Sequence, residues 1–110
     1  MESYIGQIQS FAFTYAPLGW AECNGQALPI QQNTALYALL GSTYGGDGKT
    51  YFNLPDLRAR ALVHAGTSPT LVEPQQLGEI TTYGDGSDGT TQTLAIKYCI
   101  CLSGYFPPRS

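Results

Sequence analysis

Apolar and polar residues alternate over residues 4 to 13, YIGQIQSFAF, with a slip near Gln9, and the β-branched and aromatic side chains there predict an opening strand with a bulge. A turn follows at Tyr15-Ala16-Pro17-Leu18-Gly19. Trp20 to Cys23 then lead into Asn24-Gly25, a pair that closes hairpins when strands flank it, so a short hairpin is predicted across residues 20 to 30. From Asn33 the period becomes helical: Leu36, Leu39 and Leu40 share one face and Tyr37 lies off it. Asn33 is placed to cap the first turn and Gly41 to end the last, which predicts a helix over residues 33 to 40. Two turns do not hold alone in water, so the Leu face must rest on a sheet.

The stretch Gly41 to Arg60, GSTYGGDGKTYFNLPDLRAR, reads as an irregular glycine turn around Asp47 followed by a short edge segment or ordered loop. Phe52, Leu54 and Leu57 are its apolar anchors, and Ala59 to Ala65 is a further short strand in prospect. Residues 66 to 93 carry few large apolar side chains and many glycines, which predicts a surface excursion. From Leu94 to Leu102 alternation returns: Ile96, Tyr98, Ile100 and Leu102 take one face, and Ala95, Cys99 and Cys101 the other. With both faces apolar, this is a central strand covered on each side, followed by an extended tail through Tyr105 to Pro108. The whole predicts one domain over residues 1–110, of α+β class, with mainly short antiparallel strands, one short helix and long ordered loops. Ile5, Phe11, Trp20, Leu36, Leu39, Leu40, Phe52, Leu54, Leu57, Ile96, Tyr98, Ile100 and Leu102 are expected in its core or at a subunit interface.

Composition narrows the partners. Charged residues make up 12% of the 110, against roughly 25% in an average soluble domain, so the surface is neutral and polar. A net charge of −3 with five scattered Lys and Arg gives no footprint for a phosphate backbone, which sets nucleic acid aside. No apolar run approaches the roughly 18 residues of a membrane-spanning helix, and the opening MESYIGQIQSFAF has no basic region followed by an apolar core, so neither membrane insertion nor a signal peptide is expected.

The chemistry of catalysis is missing from the inventory. The chain has no Gly-x-Ser-x-Gly elbow, phosphate loop or His-Glu-x-x-His pair, so no catalytic residue and no cofactor is assigned. TYGGDGKT resembles a phosphate loop in composition, but it follows a helix and precedes none. The three cysteines, Cys23, Cys99 and Cys101, read first as buried free thiols, with a bridge from Cys23 to one of the other two as the alternative. His64 is the one histidine available to complete a zinc set, so no metal site is assigned. Asp56, Arg58 and Arg60 read as local pairing that orders a loop, with intersubunit pairing as the competitor. In the excursion, Tyr83, Asp85, Ser87 and Asp88 read first as a flexible solvated turn, with stacking on and hydrogen bonding to a glycan or another neutral polar ligand as the competitor; the spacing lacks the regular acidic ligands of a calcium loop.

LGWAECNGQALPI, NTALYALLGSTYGG, LPDLRAR and the ending IKYCICLSGYFPPR, in that order, resemble the phage tail collar family, in particular its bacterial branch of microcystin-dependent proteins. The resemblance runs from residue 4 to about 65 and returns for the last fifteen or so. Between them the family's long central insertion is cut to a short Gly-Thr-Asp stretch. It implies a structural protein of a phage tail or tail-like particle, collar or fibre tip, that self-associates as a trimer or with paralogous subunits and contributes to host-surface attachment. The virion tail or an extracellular appendage would be its place. In that reading Asn53, Pro55, Asp56, Arg58, Arg60, Phe106 and Arg109 are assembly elements, and residues 81 to 90 are a variable outer loop. A free-standing glycan-binding adhesin and a subunit of a bacterial surface filament or injection appendage are the alternatives.

Overall fold

The computed structural model describes residues 3–66, 77–80 and 94–109. Its elements in chain order are β1 (Ile8–Phe11), β2 (Trp20–Glu22), β3 (Ala27–Pro29), α1 (Thr34–Leu40), β4 (Tyr51–Asn53) and β5 (Lys97–Cys101). They form a three-stranded sheet in the order β1-β5-β2 and a two-stranded sheet of β3 and β4, with antiparallel pairing in both. The α+β class expected from the pattern is the class observed. β5 is the central strand, and Cys99, Ile100 and Cys101 are completely buried on its two faces.

The predicted hairpin over residues 20 to 30 does not form. β2 pairs with β5 in one sheet, and β3 pairs with β4 in the other. Asn24-Gly25 is the corner between them. Cys23 donates its N–H to the Tyr98 carbonyl at 2.9 Å, and its carbonyl accepts the Leu57 amide at 2.9 Å. Past that pivot Asn24 bridges to Asp56, and Leu54 donates to the Gln26 carbonyl at 3.0 Å, in the register that β3 and β4 continue. Gly25 takes a φ of +78° at the corner, where a Cβ would also meet the Asp56 side chain. One extended segment therefore serves two sheets, and the strand that Asn-Gly needs on its far side runs elsewhere.

Other boundaries shift for local reasons. The opening strand is shortened to β1, because Gln7 N–H bonds back to the Tyr4 carbonyl in a turn in which Gly6 has a φ of +87°. Residues 59–65 form no strand. Ala59 has a φ of +55° and Arg60 N–H closes a turn on the Leu57 carbonyl, so Leu62 and Val63 remain exposed. Ile96, expected in the core or at a subunit interface, precedes the paired part of β5 and is 44% exposed, outside the core of the single chain.

The helix is where the period places it, with its face rotated. Leu36 is buried, Leu40 is half-buried, and Leu39 is 37% exposed. Tyr37, expected off the face, packs its ring on Phe52 with centroids 5.4 Å apart and donates its hydroxyl to the Gly48 carbonyl. Asn33 does not cap with its side chain. Its amide donates to the Pro29 carbonyl at 3.0 Å, which ties the helix start to β3. Gly41 closes the other end by donating to the Tyr37 carbonyl. The core that results joins Ile5, Cys23, Leu36, Phe52, Leu54 and Ile100, so it contains residues from both sheets, the helix and the N-terminal turn.

Candidate assembly and attachment surface

The glycine loop is organised by one carboxylate. Asp47 Oδ1 accepts the amides of Lys49, Thr50 and Tyr51 at 2.8, 2.8 and 3.1 Å, and Oδ2 accepts the Thr50 hydroxyl at 2.6 Å. Thr50 first, then the three amides, hold the Asp47 carboxyl well below the usual carboxylate range. The turn delivers the chain into β4. Gly46 crosses directly over Phe52, and a Cβ on Gly46 would lie 2.6 Å from the Phe52 Cα. Composition flagged this loop as a turn, but the role of Asp47 was missed. Its signal was the Asp47-x-x-Thr50 spacing, which lets one side chain satisfy the amides of the next turn.

Seven residues were named for assembly. Asn53 ends β4 and donates its amide to the Gly45 carbonyl. Pro55 is buried, and its carbonyl accepts the Gly25 amide at 3.2 Å. Asp56 takes a two-pronged bond from Arg58, Nε to Oδ1 at 2.9 Å and Nη2 to Oδ2 at 2.8 Å, and its backbone carbonyl accepts Arg60 Nη1 at 2.8 Å. The Arg58 side chain is the first cause that holds the Asp56 carboxyl well below its ordinary range. Asp56, Arg58 and Arg60 thus come together as a local clasp, next to the backbone bonds by which Pro55 and Leu57 hold the Gly25 and Cys23 corner, whereas Asn53 bonds the glycine loop instead. Phe106 and Arg109 do not join it. Both are exposed on the tail, which is anchored through Tyr105: Ile5 N–H donates to the Tyr105 carbonyl and Tyr105 N–H to the Ser3 carbonyl.

Cys23, Cys99 and Cys101 are buried free thiols, with no bridge among them. Burial, with Cys99 nearby, pushes the Cys23 thiol up to about 12, and burial also raises Cys99. Tyr83, Asp85, Ser87 and Asp88 lie outside the described residues. Among the described residues no cluster of His, Cys, Asp and Glu is placed to hold a metal ion, and no helix is long and apolar enough to cross a membrane.

The exposed surface carries a run of rings. Phe11 meets Trp20 edge to face at 5.3 Å, from strands that flank β5, and the chain continues outward with Phe13 5.3 Å from Phe11 and Tyr15 5.0 Å from Phe13. Phe11 and Trp20 are half-buried, whereas Phe13 and Tyr15 are open to solvent, as is Leu18. Phe13 also borders an open groove of about 580 Å³ lined in part by Tyr98, Arg58 and the Lys97–Glu22 ion pair. Alternation did not reveal this surface, because strand pairing ends at Phe11 while the aromatic spacing continues to Tyr15.

The sequence profile described as phage tail collar domain matches residues 6–62, just over half of the chain. The matched span includes β1 to β4, the helix, the Asp47 turn and the Asp56 clasp. No curated protein and no solved structure was found to match.

Proposed function

Because this chain belongs to the phage tail collar domain family, we propose that it is a non-enzymatic subunit of a phage tail or tail-like particle, at the collar or fibre tip, and that it works by self-association. Family membership supports the tail role. The observation that supports self-association is the ring surface of Phe13 and Tyr15 with Leu18, open to solvent on a small domain with few charges. Copies of the chain bury these groups against each other, as a trimer or with paralogous subunits. The sequence pattern favours the microcystin-dependent branch with a shortened central insertion.

Assembly and attachment fall to different parts of the chain in this reading. The clasp of Asp56, Arg58 and Arg60, with Asn53 and Pro55 on the run before it, keeps the subunit rigid, and Phe106 and Arg109 extend from the tail towards neighbours. Attachment is assigned to residues 81 to 90. There Tyr83, Asp85, Ser87 and Asp88 supply stacking and hydrogen bonds to a surface glycan. The test is immunogold labelling of particles released by lysis of cells that carry the gene. Label confined to tail ends is the expected result. Label on filaments of intact cells, with clean tails, overturns the reading in favour of a bacterial appendage.

A further inference from the structure

Strand β1 stands at one edge of the three-stranded sheet, and the pairing fixes which of its backbone groups point outward. The Cys101 amide donates to the Gln7 carbonyl at 2.9 Å, and the register runs from Ile8 opposite Ile100 to Phe11 opposite Lys97. In an antiparallel ladder the bonded positions alternate, so Gln9 and Phe11 turn their N–H and C=O towards β5, as Gln7 turns its C=O, while Ile8 and Ser10 turn theirs away. Among the described residues no backbone group bonds the outward row of Ile8 and Ser10.

The opposite edge is treated differently. Beyond β2 the chain pairs with residues 54–57, and the Glu22 carbonyl accepts the Gln26 side chain at 3.2 Å. Among the described residues β1 has no such cover, and it has none of the usual guards of a free edge: Ile8-Gln9-Ser10-Phe11 contains no charge and no proline, and its register with β5 runs without a bulge.

We propose that the outer edge of β1 pairs antiparallel with β1 of a second copy of this chain, across a twofold axis at Gln9. The assignment deepens the self-association reading above and rests on it. Ile8 then lies opposite Ser10 of the partner subunit and Ser10 opposite the partner's Ile8. Each pair exchanges N–H and C=O, about four backbone bonds in all. The segment is self-complementary: polar Gln9 meets its own copy, and no like charges face each other. A charged peptide would find no counterpart on this edge, whereas a second copy does. A twofold contact implies an even number of chains, two trimers joined at their β1 edges if the trimer holds.

Ser10→Pro tests this on the full chain. Its N–H points away from β5, so proline there removes an edge donor and spares the β1-β5 ladder. The expected result is that light-scattering mass falls twofold while the far-ultraviolet circular dichroism of the subunit is kept. Gln9→Pro, which removes a bond the fold uses, lowers the melting temperature instead. Hydrogen exchange on the unmodified chain covers the case in which Ser10→Pro does not fold. The Ile8 and Ser10 amides are then slow in the assembly and become fast on dilution. An odd-numbered assembly whose mass Ser10→Pro leaves unchanged, or fast exchange at Ile8 and Ser10 at every concentration, overturns edge pairing while the self-association reading stands. A monomer at all concentrations overturns both.

Discussion

The Cys23 carbonyl accepts the Leu57 amide at 2.9 Å, across the point where the chain passes from one sheet to the other. Because Cys23 also donates to Tyr98, a single residue carries backbone bonds to both sheets. The two sheets cannot separate without breaking the same corner, so they are expected to unfold together.

Leu54, completely packed at 1% exposure, sits where the clasp meets the shared core. Leu54→Ala is expected to cost about 2–5 kcal/mol, by lost burial and the cavity left behind. The transition in urea should stay single, with its midpoint shifted to lower denaturant. Two separate transitions would contradict the coupling through Cys23.

The Asp47 turn gives a pH dependence whose sign is fixed. Its folded carboxyl lies below the unfolded value, as does that of Asp56. Both contributions are fully present above the unfolded value near pH 4. They drain away as pH falls further, towards the folded values, because the unfolded chain takes up protons first. The melting temperature should therefore be flat from pH 7 to about 5 and drop below pH 4. Asp47→Ala should lower it at neutral pH and remove part of the acid slope. Asp47→Asn should lose less, since an amide oxygen still accepts the backbone N–H groups.

Buried thiols predict slow chemistry. With the Cys23 thiol raised to about 12 and Cys99 raised as well, the reactive thiolate is scarce at pH 8. Mass spectrometry after iodoacetamide should find no adduct on the native protein and three on the denatured one, at Cys23, Cys99 and Cys101. A rapid native adduct would contradict the burial of at least one of them.

Where local pattern and tertiary context agreed, the chain was readable. Leu36 and Leu40 marked the helix, and the two apolar faces of residues 97–101 marked the central strand. Asn24-Gly25 was misread because a hairpin depends on what lies beyond the pair, and here the next segment follows residues 51–57. Ala59 to Ala65 failed as a strand because Ala59, at a φ of +55°, breaks the extended run and leaves it without a partner among the described residues. Local spacing also could not show that Tyr37 and not Leu39 would turn towards Phe52, where the Tyr37 hydroxyl reaches the Gly48 carbonyl. The clasp residues Asp56, Arg58 and Arg60 were recognisable by charge, while the carbonyl that Asp56 offers Arg60 was not. The ring surface of Phe13 and Tyr15 became visible only once β1 was seen to end at Phe11.

Self-association is the claim on which the account turns, and the mass of the full chain in solution tests it most directly. Multi-angle light scattering across a dilution series should give a multiple of the 11.8 kDa subunit that persists on dilution. A mass of 11.8 kDa at every concentration would contradict it, and the rings of Phe13 and Tyr15 would then have to face a different partner.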